Sequence, residues 1–222
     1  MKEMSEIKSQ NKAKSEGFVI GQCKATNHCP KAIVNTEGLA AQIADLAHSV
    51  KLDSLIRQKF GAKLAKHHIF SIVFSGCPNG CSRPQIQDIG IMATAKVAVN
   101  HQVCIACMRC ISVCKEHAMS FDGREIVIDQ DRCIGCGDCI RACPVSAVAQ
   151  TDRAYRILAG GRLGRHPRLA EELYSFVPEE QVVPIVEKII YYFRDFAEPH
   201  ERLADVMARN GADELRKYIE KM

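Results

Sequence analysis

A repeated cysteine pattern constrains this chain more than any other feature of its sequence. The segment CIACMRCISVC at residues 104–114 returns as CIGCGDCIRAC at residues 133–143. Strand-like stretches precede each copy at residues 97–99 and 126–128. We therefore predict one pseudo-symmetric module at residues 97–150, with a short strand, a cysteine loop and a short helical turn in each half.

The spacing within each copy, Cys-x2-Cys-x2-Cys-x3-Cys, is typical of proteins that hold two 4Fe-4S clusters. Three cysteines of one loop ligate one cluster, and the fourth cysteine reaches across to the other cluster. A structural zinc site is the alternative, but zinc takes only four ligands, with longer gaps between the pairs. The predicted ligands are Cys104, Cys107, Cys110 and Cys143 for the first cluster, and Cys133, Cys136, Cys139 and Cys114 for the second.

Four further cysteines lie outside this module, in two loops remote in sequence. Cys23 and Cys29 are separated by five residues, and Cys77 and Cys81 are separated by three. Four thiols with no other partners indicate a third cluster built from two loops. Four unrelated buried thiols are the alternative, because free cysteine is often a small buried hydrophobe.

The cysteine content also bears on the compartment. Of the 222 residues, 12 are cysteine, 47% are hydrophobic and the formal net charge is +4. No apolar run is long enough to span a bilayer, and the polar N-terminus has no apolar signal-peptide segment. We predict a cytoplasmic protein whose thiols stay reduced and bind metal, with no membrane and no nucleic acid as partners. Residues 1–16 are predicted to form a mobile tail.

Strands and helices are predicted on both sides of the module. Apolar residues at helical spacing predict an amphipathic helix at residues 36–60, and strands are expected at residues 69–74 and 86–92. After the module, residues 155–176 suggest a strand, a glycine-rich turn and the start of a helix. A final helix is predicted at residues 201–219.

Prolines 178 and 184 precede a further long helical pattern that continues to Phe193. Neither flank resembles a complete domain by itself. We therefore predict an α+β domain formed by residues 17–96 and 151–222, with the module inserted between them.

Several motifs resemble those of the nitrite and sulfite reductase family. They are CKATNHCPKA around the first cysteine pair, SGCPNGCSRPQIQDIGI around the second, and LAGGRLGRHPRLAEEL after the module. The layout is similar to anaerobic and dissimilatory sulfite reductase subunits, which carry a two-cluster ferredoxin module after the Cys-x3-Cys segment. The resemblance covers about residues 17–176 and implies a sulfite-reductase-like domain for sirohaem and a 4Fe-4S cluster.

The resemblance also implies roles for individual residues. We call Cys23, Cys29, Cys77 and Cys81 the outer cysteines. In the family the four matching cysteines bind a 4Fe-4S cluster, and the last of them, here Cys81, also bridges to the sirohaem iron. The carboxylates of sirohaem need cationic side chains or backbone N–H groups; a solvated basic turn is the alternative for these arginines. The implied sirohaem contacts are Arg83, Gly160, Gly161, Arg162, Gly164, Arg165, His166 and Arg168.

The sequence departs from the family where the anionic substrate is held. The family usually has a Lys-x-Lys pair on the strand that enters the SGC motif, and this chain has Ile69-Phe70-Ser71. The family takes another arginine from a preceding half-domain, and only a short tail precedes Cys23 here. We name Lys66, His68 and Lys24 as candidates for binding the anion and delivering protons. A polar start of the strand is the alternative for KLAKHH.

Two main functions follow from this pattern. The first is an oxidoreductase that passes electrons from the module to a 4Fe-4S and sirohaem centre, which reduces a small oxyanion such as sulfite. The second is a non-catalytic electron-transfer or cofactor-binding subunit that lacks the anion-binding lysines. A redox sensor is a third hypothesis, but no DNA-binding pattern supports it. The expected partners are an electron-donor protein or subunit, a small oxyanion and other subunits in a homo- or hetero-oligomer.

Overall fold

The computed structural model describes residues 16–27 and 29–222, so the mobile tail predicted at residues 1–16 lies outside the described residues, apart from Glu16. The described chain forms a larger sheet and a small hairpin, with helices packed on the larger sheet. The strands are β1 (Phe18–Gln22), β2 (Phe70–Ser75), β3 (Ile89–Val99), β4 (Met119–Phe121), β5 (Ile126–Ile128), β6 (Val148–Ala159) and β7 (Glu171–Val177). The helices are α1 (Glu37–Ser49), α2 (Leu52–Phe60), α3 (Arg109–Val113), α4 (Asp138–Ala142), α5 (Glu179–Phe196), α6 (Leu203–Asn210) and α7 (Ala212–Lys221).

The larger sheet has the strand order β1-β2-β3-β6-β7. Strands β1, β2 and β3 are parallel, whereas β6 pairs antiparallel with β3 and with β7. All six residues of β2 are buried, as expected for a parallel strand that is covered on both faces. Because β1 and β2 run in the same direction, the residues that follow them meet at one edge of the sheet. Cys23 follows β1 and Cys77 lies just after β2.

The main core lies between this sheet and the helices. The buried face of α1 includes Leu39 and Ile43, and that of α5 includes Val186 and Ile189. These residues recur three or four positions apart, which places them on one side of each helix. The core thus supports the strands whose ends carry the outer cysteines. Within the described residues, no helix is both long and apolar enough to cross a bilayer.

Strands β3 and β6 extend beyond the larger sheet and lead into the cysteine-rich segment. A second, smaller core surrounds their far ends and includes Val97, Met119 and Val148. The hairpin of β4 and β5 completes this part. The limits of the module and its status as an insertion stay predictions, because the two strands run without interruption through residues 97–99 and 148–150.

The helix predicted at residues 36–60 is two helices, and that prediction is corrected. The chain breaks between α1 and α2 at Lys51, which has a positive φ of 55°. The strand predicted at residues 69–74 is confirmed as β2. The strand predicted at 86–92 begins later, at Ile89, because a short 3-10 helix occupies residues 84–86.

The helix start predicted after the glycine-rich turn is wrong, because this segment is strand β7. Its buried residues Leu173 and Val177 are four apart, a spacing that also suits a helix, and pairing with β6 selects the strand. Pro184 lies inside α5. The final predicted helix is divided into α6 and α7 at Gly211, whose φ is 83°.

Candidate metal centre

The outer cysteines meet at the carboxyl edge of β1 and β2. The backbone N–H of Cys23 donates to the carbonyl of Phe74 at 3.1 Å, and the N–H of Gly76 donates to the Cys23 sulfur at 3.2 Å. The N–H of Ile33 then donates to the Gly76 carbonyl at 2.7 Å. These bonds hold the loop that contains Cys29 against the segment that leads to Cys77.

Gly76 makes this close approach possible. A Cβ atom at this position would lie 2.4 Å from the Cβ of Ala25 and 2.8 Å from the carbonyl oxygen of Val34. Both distances are shorter than any normal contact, so a larger residue would push the two loops apart. The glycine of the SGC motif therefore has a packing role between the two cysteine loops.

The four outer thiols share one environment. Burial raises the pKa of the Cys77 thiol, and the neighbouring charges of Cys23, Cys29 and Cys81 raise it further. Cys81 is exposed and accepts a hydrogen bond of 3.0 Å from the Asn79 side-chain amide. The structure thus brings Cys23 and Cys29 together with Cys77 and Cys81, as the sequence led us to expect.

The eight module cysteines form two further groups. Cys114 lines one cavity together with the second cysteine loop, and Cys143 lines another together with the first loop. Each fourth cysteine thus crosses to the other loop, as the spacing predicts. The two sets are Cys114, Cys133, Cys136 and Cys139 in one cavity, and Cys104, Cys107, Cys110 and Cys143 in the other.

Burial and neighbouring sulfurs govern the chemistry of these thiols. Burial, followed by the charges of Cys133, Cys136 and Cys114, raises the pKa of Cys139 to about 11. Several thiolates crowded into one cavity need a cation to compensate their charge, and four thiolates are the donor set of a 4Fe-4S cluster. Among the described residues, no three His, Cys, Asp or Glu side chains are grouped as a site for a single metal ion. The sulfurs instead surround cavities.

The glycine-rich turn after β6 lies beside the Cys77–Cys81 loop. The N–H of Ala170 donates to the carbonyl of Gln85 at 2.7 Å, and the N–H of Gly161 donates to that of Gln87 at 2.9 Å. The side chain of Gln85 in turn packs directly against Gly80. The segment that resembles a sirohaem contact therefore borders the outer cysteines.

Some of the predicted sirohaem contacts are already occupied by other residues of the chain, and others are not. Arg162 pairs with Asp205, and Arg168 pairs with Glu171. Gly160 donates its N–H to the carbonyl of Asp88, and a Cβ there would lie 2.6 Å from the Met207 sulfur. Gly160 and Gly161 are therefore needed for packing, whatever else they contact.

Four predicted contacts are exposed. Gly164 has a φ of 109° and open space around its Cα. Within the described chain, the side chains of Arg83, Arg165 and His166 have no hydrogen bond or ion pair to another residue. These three side chains can bind carboxylates without breaking an existing contact. They therefore fit an anionic tetrapyrrole, whose carboxylates need cationic partners.

Two of the candidates for anion binding lie at the far end of β2 from the outer cysteines. Lys66 and His68 precede the strand, whereas Cys77 follows it, and a six-residue strand spans roughly 20 Å. His68 stacks on Phe60 with ring centroids 4.7 Å apart. Lys24 is exposed and directly follows Cys23. The role of all three residues in binding the anion stays a prediction.

A buried polar contact occupies the strand position where the family would have a lysine. Ser71 donates both its N–H and its hydroxyl to Asp88, at 2.9 and 2.8 Å. Asp88 also accepts a hydrogen bond from Arg202. The side chain of Ser71 thus stabilises the fold at this position.

Sequence reasoning missed the roles of Asp138 and Asn79. Asp138 accepts hydrogen bonds from Lys31 and Arg141, both at 2.6 Å. Nothing in the sequence indicates the Lys31 contact, because its partner lies 107 residues away. The sequence gives a weak indication of the Asn79 contact, since an asparagine between two cysteines of one loop can donate to sulfur.

These features define an iron–sulfur protein with a mixed α and β fold, and comparison with known proteins identifies its family. Residues 19–222 match the family model described as the nitrite and sulphite reductase 4Fe-4S domain. The chain belongs to this family, and membership supports iron–sulfur cluster binding.

Two relatives are longer than this chain. The coenzyme F420-dependent sulfite reductase of Methanocaldococcus jannaschii is 32% identical over 94% of the chain, which spans 32% of that protein. The anaerobic sulfite reductase of Salmonella typhimurium has a subunit that is 27% identical over 81% of the chain, which spans 50% of that relative. The crystal structure of dissimilatory sulfite reductase I is similar to this chain, with a TM-score of 0.63 and 18% sequence identity. The match covers 90% of this chain and 51% of the chain in that structure. This last likeness concerns the fold alone.

Proposed function

We propose that this chain is an iron–sulfur oxidoreductase unit of the sulfite and nitrite reductase type. Cys23, Cys29, Cys77 and Cys81 would hold a third 4Fe-4S cluster. The two-cluster module would supply it with electrons from a donor protein or subunit. Together with sirohaem, this third cluster would serve the reduction of a small oxyanion such as sulfite. When bound, the clusters carry single electrons and the sirohaem iron binds the oxyanion.

One observation carries this proposal: thiols from two remote loops meet at a single edge of the sheet. Cys77 lies close enough to Cys23, Cys29 and Cys81 for their charges to raise its pKa. Unrelated buried thiols would have no reason to converge in this way. The family match and the sulfite reductase relatives support the same conclusion.

The residues around this centre have distinct roles in the proposal. Asn79 donates to the Cys81 sulfur at 3.0 Å and fixes its position in the loop. Cys81 is exposed, so its sulfur would be accessible to a sirohaem bound beside the cluster. Arg83, Arg165 and His166 are free to bind the carboxylates of the tetrapyrrole. Lys24, which directly follows Cys23, is the candidate for binding the anionic substrate that lies next to the outer cysteines in sequence.

A non-catalytic electron-transfer or cofactor-binding subunit is the second candidate function. It is favoured by the contacts of Ser71, which stands where the family has a lysine and is bound to Asp88. Lys66 and His68 also lie at the far end of β2. In this alternative another subunit completes the anion pocket, in keeping with the Salmonella relative, which is itself one subunit of an anaerobic sulfite reductase.

Iron analysis and an absorption spectrum of the anaerobically purified protein test the proposal. Three clusters correspond to about twelve irons per chain, with one more if sirohaem is present. Cys77→Ser should remove about four irons and leave the two module clusters intact. A sirohaem band with sulfite-dependent oxidation of a reduced dye supports the enzyme. An iron–sulfur spectrum with no haem band supports the carrier, and about eight irons in the unaltered protein would refute the third cluster.

A further inference from the structure

We propose that Asp138 is a positioning residue that fixes the loop of the outer cysteines against the second cysteine loop of the module. Its carboxylate bridges Lys31, two residues after Cys29, and Arg141 on α4. This inference rests on the proposed function, because it concerns how electrons leave the module. It assigns a role to non-cysteine residues of two of the motifs, to which the sequence analysis gave none.

The contacts around Asp138 join the two cysteine sites directly. The Lys31 ammonium lies 2.6 Å from Asp138 Oδ1, and the Arg141 guanidinium lies 2.6 Å from the same oxygen. Arg141 also donates to the carbonyl of Cys136 at 2.9 Å. Asp138 lines the cavity of Cys114, Cys133, Cys136 and Cys139. A continuous chain of contacts therefore runs from the Cys29 loop to this cavity.

The two halves of the repeat differ at this position. Arg109 occupies the place of Asp138 in the first copy, and it is exposed with no side-chain partner in the described chain. The pseudo-symmetry of the repeat is thus broken at the position where the second loop contacts Lys31 and the first loop does not. The difference in charge matches the difference in surroundings, because only the second loop meets a lysine.

Two further contacts hold the second cysteine loop of the module against β3. The Thr94 hydroxyl donates to the carbonyl of Ile134 at 3.1 Å, and the N–H of Ala95 donates to that of Gly135 at 3.2 Å. Both partners of the loop belong to β3, whose neighbour β2 leads to Cys77. The β3 contacts set the position of the module loop, and Lys31 then brings the Cys29 loop to it.

This arrangement gives the three predicted clusters an order. The set that includes Cys139 is joined to the Cys29 loop through Asp138 and Lys31. Among the described residues, Arg109 makes no such contact for the set that includes Cys104. With clusters bound, one electron at a time would pass from the module cluster at Cys139, which would be oxidised, to the outer-cysteine cluster, which would be reduced. No bond is made or broken, so distance and orientation govern the rate, and Asp138 acts on both.

The test uses the full chain, purified anaerobically, with variants Asp138→Asn, Lys31→Met and the double variant. Backbone hydrogen exchange of residues 24–34 measures opening of the loop. An exposed ion pair contributes up to about 1 kcal/mol, so each single variant should speed exchange by up to roughly fivefold. The double variant should be no faster than either single one, because both remove the same contact. Lys31→Arg keeps the positive charge beside Asp138, so it should exchange as slowly as the unaltered protein.

A matched control removes a similar ion pair elsewhere. Glu214→Gln breaks the 2.7 Å contact with Lys217 on α7 and should leave exchange of residues 24–34 unchanged. A second readout is the magnetic coupling between the reduced clusters, which should weaken in Asp138→Asn at unchanged iron content. Exchange equal to that of the control, or faster exchange with unaltered coupling, would overturn the positioning role. If the unaltered protein contains no cluster at the outer cysteines, the proposed function itself would be refuted.

Discussion

Arg202 Nη2 lies 2.9 Å from both carboxylate oxygens of Asp88, and the Asp88 side chain is almost completely buried. The same carboxylate accepts hydrogen bonds from Ser71 on β2. Arg202 immediately precedes α6, and Asp88 immediately precedes β3. This one carboxylate therefore ties the C-terminal helices to the strands that position the outer cysteines.

Asp88→Ala should strongly destabilise the protein. It leaves the Arg202 guanidinium and the Ser71 hydroxyl without their partner in a buried place, which typically costs about 3 kcal/mol. Urea unfolding followed by circular dichroism measures the loss. Asp213→Ala is the control, since Asp213 pairs with Arg216 but its side chain is 85% exposed. Equal effects of the two substitutions would contradict the structural role of Asp88.

Gly76→Ala should disrupt the outer-cysteine site selectively. The added methyl would lie 2.4 Å from the Cβ of Ala25, so the loop between Cys23 and Cys29 must move away. We expect a loss of about four irons while the module clusters remain. Gly38→Ala is the matched control, because a Cβ at Gly38 meets nothing within 4 Å. Full iron content in Gly76→Ala would show that the loops are not as tightly packed as the structure indicates.

Gly135→Ala should displace the second cysteine loop of the module. A Cβ there would lie 2.3 Å from the Thr94 hydroxyl and 2.4 Å from the Ala95 carbonyl, and the φ of Gly135 is 67°. We expect loss of the cluster at Cys114, Cys133, Cys136 and Cys139, measured by iron content and electron paramagnetic resonance. Gly123→Ala separates the two causes, since its φ is 100° with open space around it. Equal losses in both variants would assign the effect to backbone strain alone.

His68 should make stability depend on pH. Burial, followed by the charges of His67, His200 and Arg202, lowers the pKa of His68 from its ordinary value of 6.5. Below that value the unfolded chain binds a proton more readily than the folded protein does. The stabilisation is therefore complete above pH 6.5 and is lost as the pH falls towards the lowered pKa.

Urea midpoints at pH 8 and pH 5.5 measure this dependence. His68→Gln should lose less stability on acidification than the unaltered protein, whereas the exposed His117→Gln should behave like the unaltered protein. Because His68 lies far from Cys77, we expect no loss of iron in either variant. The same pH dependence in all three proteins would exclude His68 as its source.

Much of the candidate site was predictable because cysteine spacing reports directly on ligand geometry. The crossing of Cys114 and Cys143 between the two cavities follows from their place after each loop. The sequence indicated that Cys23 and Cys77 lie together only because these cysteines had no other partners. The physical cause of their proximity is that β1 and β2 are parallel neighbours.

The three-dimensional arrangement was harder to predict from the sequence. Lys66 and His68 are near Cys77 in sequence, but strand β2 places them at its opposite end. The segment of β7 has apolar spacing that suits a helix as well as a strand, and hydrogen bonding to β6 decides between them. Short sequence separation is a poor guide to proximity in extended chain, because each residue of a strand adds about 3.3 Å.

The sequence by itself determined how the cysteines group within the module, because each group comes mainly from one loop whose cysteines lie a few residues apart. Only the tertiary structure decided which loops meet. Lys31 contacts Asp138, and Ser71 contacts Asp88, through the stacking of strands and the docking of loops that are distant in sequence. Such contacts depend on the packing of the whole sheet, which no local pattern encodes.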